Sequence, residues 1–376
     1  MNPKKIEDGQ WAAAQEYFRA RGGVIFLSNC AFWGTHPMVQ QSLANALADS
    51  GIAVIWFDGA GWRPRRFHFE GVPSENLSVR QLVALPGRRV GFLDRATIDL
   101  QAEIIKKQIS RLGGNPVIWV EAGIDERLAQ ALPFIDVFSV FDDPYIHDPK
   151  GPLCQKAKVV FTQNSFAFRL LKPTLKNKLE LSLPPFSVDP EKFGAFEKVD
   201  LPKNFPKKRM GFFGSFQSTR FDLPLFAQFV RRLPDWGFLL VGRTDEVGEN
   251  WLRTMKSHSN FVRFAPVPRS KLSSFWKAID VGLLFYTDGG RIQHGAFATK
   301  TLEAFYFGVP CVATVSRLTE DLDGLCPRGT SPDELMDLAK AAAQTSPQSI
   351  AETFSRLNSK MDPLAHLANV AELLRG

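Results

Sequence analysis

Short apolar runs alternate along the whole chain with stretches whose apolar residues recur at helical spacing. Apolar runs of this kind are typical of strands buried on both faces of a parallel sheet, and the intervening stretches are typical of the helices that cover it. In the first half the pattern predicts strands over Val24–Leu27, Ala53–Phe57, Val117–Val120, Val137–Val140 and Val159–Phe161. It predicts helices over Pro37–Asp49 and Ile98–Leu112.

Residues 184–208 interrupt this alternation. The segment is rich in proline and carries five lysines from Lys192 onward, which is typical of a linker. Beyond it the alternation resumes, with strands predicted over Met210–Phe213, Phe238–Val241, Phe261–Phe264, Val281–Phe285 and Cys311–Thr314. Helices are predicted over Leu223–Arg232, Leu272–Ala278, Thr299–Phe307 and Pro332–Ala343, with Ser270 expected as the cap of the second.

The pattern therefore predicts an α/β protein with two doubly wound domains. We expect a first domain over residues 1–190, a linker over 191–208, a second domain over 209–350 and a C-terminal helical segment over 351–376 that packs back on the first domain. A chain of 376 residues suits two domains, and its 44% hydrophobic and 23% charged residues are ordinary for a soluble protein. Its 32 phenylalanines predict a Phe-rich core.

Charge and cysteine content bear on the class of partner and on the cellular compartment. A formal net charge of +7 favours an anionic partner, without choosing among nucleotide, nucleic acid and acidic lipid, and is also compatible with ordinary solubility. The four cysteines form no C-x-x-C pair, which is typical of free thiols in a reducing compartment. The polar first residues resemble no signal peptide, and no stretch of about 18 apolar residues occurs. We expect a cytoplasmic protein.

The strongest local signal lies between Lys300 and Thr314. A short helix ends at Gly308, and Pro310 leads into a buried strand. Lys300 lies in the first turn, where a cation opposes the helix dipole unless an anion such as a diphosphate binds nearby. Glu303 is one turn further on the same face and could accept bonds from ribose hydroxyls. The alternative is a plain surface ion pair between the two side chains.

This stretch resembles the donor-site signature of GT-B glycosyltransferases of family 4 (group 1), particularly the branch that contains the teichuronic-acid glycosyltransferases. The branch pattern P-x-K-x-x-E-Y-x-A-x-G-x-P-V-V-A-T is matched at Lys300, Glu303, Gly308, Pro310 and Val312–Thr314. Ala298 replaces the first proline, and Gly295 stands where many members have an earlier glutamate.

The resemblance extends through most of the second half, where several motifs follow in the family's order. Gly211–Phe216 resembles its first strand and glycine-rich loop, and Leu239–Gly242 and Asp280–Leu284 resemble later strands. Glycine in such loops lets backbone N–H groups approach phosphate, although a tight turn alone would also explain it. The resemblance implies a nucleotide-sugar site formed by Gly214, Ser215, Gly242, Arg243, His294, Lys300 and Glu303.

The first half resembles the family more loosely. Thr35-His36-Pro37 opens a helix after the first strand, and Val140–Asp143 is similar to a V-D-D segment of the family. An inverting transferase needs a base for the acceptor hydroxyl. Asp142 and Asp143 follow a strand end and are the first candidates, Glu121 is their rival, and His36 is a weaker one. A retaining enzyme needs no such base, and either aspartate could instead cap a turn.

A basic and aromatic segment, Trp62–Phe69, follows the second strand. Its Arg63, Arg65 and Arg66 suit contact with an acceptor or with anionic lipid headgroups, and equally an ordinary loop in which arginines pack on rings. The resemblance thus implies a nucleotide-sugar donor, a glycan or lipid-linked acceptor and an anionic membrane surface as partners, and no nucleic acid.

Other motifs are incomplete. Gly59-Ala60-Gly61 lacks the third glycine of a dinucleotide fingerprint because position 64 is Pro64. Asp321-Leu322-Asp323 has the form of the D-x-D motif that holds a metal in another class of glycosyltransferase, but it lies beyond the last predicted strand. The resemblance implies a metal-independent transferase without a cofactor, with two Rossmann-like domains that face each other across a cleft. A nucleotide-sugar epimerase of the same architecture and a non-catalytic sugar-nucleotide binding protein remain open.

Overall fold

The computed structural model describes residues 8–28, 39–61, 74–86, 91–140, 151–162, 165–181, 185, 188, 193–219, 221–287, 299–314 and 326–376. The chain divides into two compact units. Unit 1 comprises residues 1–186 and 360–376, and unit 2 comprises residues 187–359.

Unit 1 contains a seven-stranded parallel sheet of order β3-β2-β1-β4-β5-β6-β7. Its strands are β1 Val24–Leu27, β2 Val54–Gly61, β3 Leu77–Val83, β4 Val117–Glu121, β5 Ile135–Val140, β6 Ala157–Thr162 and β7 Leu179–Leu181. Its helices are α1 Asp8–Ala20, α2 Val39–Asp49, α3 Gly91–Arg111, α4 Glu126–Ala131, α5 Pro152–Lys156, α6 Ser165–Leu175 and, from the C-terminus, α13 Pro363–Arg375.

The strands of unit 1 supply two cores because successive side chains point to opposite faces of a sheet. Ile25 and Leu27 pack with buried residues of α3, α4, α5 and α6. Val24 and Phe26 pack on the other face with buried residues of α1, α2 and α13. This explains why the predicted strands are continuous apolar runs without alternation.

Unit 2 contains a five-stranded parallel sheet of order β10-β9-β8-β11-β12. Its strands are β8 Lys208–Phe213, β9 Trp236–Val241, β10 Phe261–Phe264, β11 Val281–Leu284 and β12 Cys311–Ala313. Its helices are α7 Leu223–Arg232, α8 Glu246–Met255, α9 Leu272–Trp276, α10 Thr299–Tyr306, α11 Pro332–Ala342 and α12 Pro347–Lys360.

The predicted α/β fold with two parallel sheets is confirmed, and every predicted strand and helix has a counterpart. The pattern did not predict β3, a half-buried edge strand that includes Arg80 and Gln81, or α8, which contains Gly248. It also left α1, α4, α5, α6 and β7 unassigned. The expectation that Ser270 caps α9 was wrong. Residues Arg269–Lys271 form a 3₁₀ turn, so Lys271 holds the cap position and no side chain bonds there.

Within the described parts of the chain, no helix is both long and apolar enough to cross a membrane.

Candidate functional site in unit 2

The strand order of unit 2 creates a switch point between β8 and β11. From β8 the chain proceeds to β9 and β10 on one side of the sheet, and β11 and β12 then lie on the other side. Ligands of open α/β sheets bind outside the carboxyl ends of strands at such a point, since the connections leave the edge in opposite directions there. A ligand site is therefore expected among the residues that follow β8 and β11.

Two glycines follow the central strands at this edge. Gly214 comes directly after β8 and has φ +145°, and Gly242 comes directly after β9 and has φ +142°. A Cβ on Gly242 would lie 1.9 Å from the carbonyl oxygen of Gly214, so no other residue fits without displacing the backbone. The glycines thus allow the two strand ends to approach as closely as backbone permits.

Lys300 brings a cation to the same edge. It lies in the first turn of α10, and its Nζ is 4.0 Å from the centroid of the Phe212 ring and 5.6 Å from that of Tyr286. A Cβ on Gly214 would come within 2.6 Å of the same nitrogen. The ammonium is therefore positioned by the ends of β8 and β11 and by two aromatic faces, which stabilise it by about 0.5–2 kcal/mol each.

Thr314 fixes the backbone of Tyr286, one of the two aromatic residues that contact Lys300. Thr314, directly after β12, accepts a 2.8 Å hydrogen bond from the backbone N–H of Tyr286 and donates one of 2.7 Å to the Tyr286 carbonyl. The loop after β8 is fastened in a similar way, because Ser218 donates through its N–H and its hydroxyl to the carboxylate of Asp245. The loops around Lys300 are therefore held by side-chain bonds as well as by the sheet.

Glu303 lies one turn after Lys300 and is buried, with 9% of its surface exposed. Its Oε1 is 2.8 Å from Nη2 of Arg269, in the turn before α9. Burial raises the pKa of Glu303, whereas Arg269, Lys300 and the Trp276 indole act against that rise. The alternative of a plain surface pair with Lys300 was wrong, because the carboxylate is buried and pairs with Arg269. The sequence predicted Glu303 from its spacing to Lys300, but it did not predict Arg269, which belongs to no motif.

The remaining expected donor residues are Ser215, Arg243 and His294, and their roles stay predictions. Ser215 is partly buried after Gly214, and Arg243 is exposed after Gly242. The carbonyl of Arg243 accepts a 3.0 Å hydrogen bond from the N–H of Phe216, which ties these two loops together. His294 lies outside the described residues, so its predicted role stays a prediction.

Unit 1 has its own switch point, between β1 and β4. Ser28 follows β1 and donates a 2.5 Å hydrogen bond to Oε2 of Glu121, the last residue of β4. Both side chains are buried, as are those of Asp58 in β2 and Ser139 in β5. The structure thus places the candidate Glu121 in a buried polar row at the carboxyl edge of the first sheet.

The other candidates of the first half, His36, Arg63, Arg65, Asp142 and Asp143, lie outside the described residues. Among the residues that are described, no group of three or more His, Cys, Asp or Glu side chains is arranged to hold a metal ion.

Comparison with solved structures finds whole-chain similarity at low sequence identity. WaaG, a glycosyltransferase involved in lipopolysaccharide biosynthesis, matches with 13% identity and a TM-score of 0.62 over 94% of this chain and 99% of its own. A glycosyltransferase from Rickettsia africae matches with 13% identity and a TM-score of 0.63 over 94% and 99% of the two chains. HepE of Anabaena in complex with UDP-glucose matches with 12% identity and a TM-score of 0.59, again over 94% and 99%.

No protein-family model matches the sequence, and the search of curated proteins finds no match either. At identities of 12–13% the structural likeness speaks for the fold alone. Two parallel sheets with alternating helices, aligned over nearly the whole chain with these transferases, give this protein the GT-B glycosyltransferase fold.

Proposed function

We propose that this chain is a metal-independent glycosyltransferase of the family 4 (group 1) type that transfers a sugar from a nucleoside-diphosphate sugar to a glycan or lipid-linked acceptor in cell-envelope synthesis. The observation that carries the proposal is the position of Lys300. Its ammonium lies against Gly214 and over Phe212, at the switch point of a parallel sheet and at the N-terminus of α10. A cation and a helix N-terminus at one place favour a diphosphate.

The donor would be held through its diphosphate and its ribose. Lys300 and the loops that begin at Gly214 and Gly242 neutralise and cradle the diphosphate, with Ser215, Arg243 and His294 as further contacts. Glu303 accepts hydroxyl bonds from the ribose, and such charge-assisted bonds contribute about 1.5–3 kcal/mol each. A neighbour of the same fold binds UDP-glucose, which supports a nucleotide-sugar and makes UDP the first nucleotide to examine.

Unit 1 would bind the acceptor. For an inverting reaction the proton of the acceptor hydroxyl passes to Asp142 or Asp143, with Glu121 as the rival base. Arg63 and Arg65 would contact the acceptor or anionic headgroups, which suits a peripheral enzyme with a lipid-linked substrate. The resemblance to the teichuronic-acid branch and the neighbour WaaG, which takes part in lipopolysaccharide biosynthesis, both support an envelope role.

Donor binding is tested by calorimetry with UDP, GDP, ADP and CDP. We expect one nucleotide to bind the wild type, Lys300→Ala to weaken that binding at least tenfold, and Glu303→Gln to weaken it by the loss of its ribose bonds. Lys340→Ala is the matched control, since Lys340 is an exposed lysine of unit 2 on α11. Equal affinity in the wild type and both site variants would remove the assignment.

Transfer is tested by incubation with nucleotide-sugars and a panel of lipid-linked and glycan acceptors. A transferase releases nucleoside diphosphate in proportion to glycosylated acceptor. An epimerase would convert the donor into an isomer without an acceptor, and a binding protein would bind the donor and leave it unchanged, so either result replaces the proposal.

A further inference from the structure

Arg269 lies between a buried carboxylate and an aromatic ring. Its Nη2 is 2.8 Å from Oε1 of Glu303, and its guanidinium carbon is 5.5 Å from the centroid of Phe193. The two paired side chains are largely withdrawn from water, with 15% of Arg269 and 12% of Glu303 exposed. A planar guanidinium that faces a carboxylate and packs on a ring has little freedom to leave.

The backbone around Arg269 is fastened to the segment that carries Phe193. The N–H of Gly194 donates a 2.8 Å hydrogen bond to the carbonyl of Ser270, and the N–H of Glu197 donates one of 2.9 Å to the hydroxyl of Ser274. Phe193 in turn stacks on Tyr306 of α10, the helix that carries Glu303, at 5.8 Å between ring centroids. Arg269 is therefore held on both sides by parts of the chain that are bonded to each other.

The contact between Arg269 and Glu303 affects the ionisation of the Glu303 carboxylate. Among the described residues, the cations that act on the carboxylate are Arg269, from the turn before α9, and Lys300, from its own helix, and the Trp276 indole of α9 adds a neutral donor. In the proposed donor complex Lys300 pairs with a diphosphate, whose negative charge cancels its effect on Glu303. Of these two cations, Arg269 then remains to favour the ionised form of the buried carboxylate, which accepts hydroxyl bonds.

We propose that Arg269 is a positioning residue of the donor site, which fixes the Glu303 carboxylate in place and keeps it charged while the nucleotide is bound. The inference rests on the proposed function, and it assigns a role to a residue that no motif identifies. It predicts that Arg269 acts on the donor only through Glu303.

The first test measures Glu303 itself. In protein labelled with [δ-¹³C]glutamate, the Glu303 signal is identified by its loss in Glu303→Gln, and its titration is followed by NMR without any ligand. In Arg269→Gln the midpoint should rise by about 1–3 pH units, the range for loss of one adjacent opposite charge. Arg269→Lys should keep it near the wild-type value. An unchanged midpoint in Arg269→Gln would overturn the proposal.

The matched control is Arg263→Gln. Arg263 also pairs with a glutamate, Glu249, at 2.6 Å in unit 2, so this variant removes an arginine–glutamate pair of the same kind. The Glu303 midpoint should not move in it. If it moves as far as in Arg269→Gln, the effect is a general loss of positive charge and the specific role is refuted.

The second test is a double-mutant cycle of UDP affinity measured from pH 6 to pH 9. Arg269→Gln should weaken binding at least tenfold at pH 7 and recover part of the loss as the pH rises, because the raised pKa of Glu303 is then exceeded. In a Glu303→Gln background the same substitution should change affinity less than twofold. An equal loss in both backgrounds would refute a role exerted through Glu303.

The two tests separate this inference from the function on which it rests. If the wild type binds none of the nucleotides, the proposed function fails, whereas the NMR titration still decides whether Arg269 controls the ionisation of Glu303. If Arg269→Gln does not fold by near-UV circular dichroism, Arg269→Met, which removes the charge but keeps an apolar stem against Phe193, takes its place in both tests. An unchanged Glu303 midpoint in Arg269→Met would overturn the proposal in the same way.

Discussion

Gly214 lies so close to Lys300 that a Cβ at the glycine would stand 2.6 Å from the lysine Nζ. The Lys300 ammonium therefore occupies the space that a side chain at position 214 would fill. We expect Gly214→Ala to displace the ammonium and to weaken nucleoside diphosphate binding at least tenfold in calorimetry, because Lys300 loses both its position and its contact with Phe212.

The control for this variant is Gly308→Ala. Gly308 also has a positive φ, +73°, and ends the same helix, but a Cβ there meets nothing within 4 Å. It should lower the melting temperature through backbone strain and leave nucleotide affinity unchanged. If both alanine variants lose affinity equally, strain and not displacement of Lys300 is the cause.

The candidate bases of unit 1 are expected to differ in turnover. Glu121 is buried and already engaged by the hydroxyl of Ser28 at 2.5 Å, so it is less available for proton transfer than the aspartates after β5. We expect asparagine at Asp142 or at Asp143 to lower turnover by about 10²-fold at saturating donor and acceptor. Glu121→Gln should lower it less than tenfold. A larger loss in Glu121→Gln than in both asparagine variants would transfer the role to Glu121.

Stability should depend on His366 below neutral pH. His366 on α13 is buried beside Trp119 and Phe161, at 5.9 and 4.9 Å between ring centroids, and burial lowers its pKa to about 3. The unfolded chain binds the proton near pH 6.5, so the stability due to the neutral imidazole is complete above pH 6.5 and is lost as the pH falls toward 3. The loss is about 1.4 kcal/mol per pH unit in that window.

Urea unfolding of unit 1 at pH 7.5, 6 and 5 measures this effect. The free energy of unfolding of the wild type should fall by about 2 kcal/mol more than that of His366→Gln between pH 7.5 and pH 5. Parallel pH dependence in the two proteins would show that His366 is not the group responsible.

Membrane contact is predicted to depend on the basic segment 62–69. Replacement of Arg63, Arg65 and Arg66 by alanine should reduce co-sedimentation with vesicles that contain phosphatidylglycerol, since each basic residue contributes about 1 kcal/mol near an anionic surface. The control replaces Lys198, Lys203 and Lys207, three exposed lysines of unit 2, and removes the same charge. Equal partitioning of both triple variants would refute a specific membrane surface.

Transfer is predicted to proceed without a divalent metal. Turnover should be the same, within about twofold, after dialysis against EDTA and after addition of Mg²⁺ or Mn²⁺, because Lys300 and backbone N–H groups supply the charge stabilisation of the leaving diphosphate. A loss of activity on chelation that the metal restores would contradict the metal-independent proposal.

The sequence by itself determined the fold class and the position of Lys300 and Glu303. Strands buried on two faces must be apolar at every position, and the helices that cover them must be apolar at every third or fourth position. Both kinds of element can therefore be predicted from the local sequence pattern. The Lys300-to-Thr314 motif is local in the same sense. Where the pattern failed, as at the half-buried β3 and the Gly-containing α8, the side chains give a mixed signal.

The tertiary structure decided which groups surround the site. That Arg269 faces Glu303, that Phe212 lies under Lys300 and that Ser28 bonds to Glu121 follow from strand order and from the approach of the turn before α9 to Glu303. No spacing in the chain encodes these contacts, because they join residues that are far apart in sequence. The ionisation of a buried carboxylate depends on its nearest cation, so the charge state of Glu303 is a property of the folded protein and not of its motif.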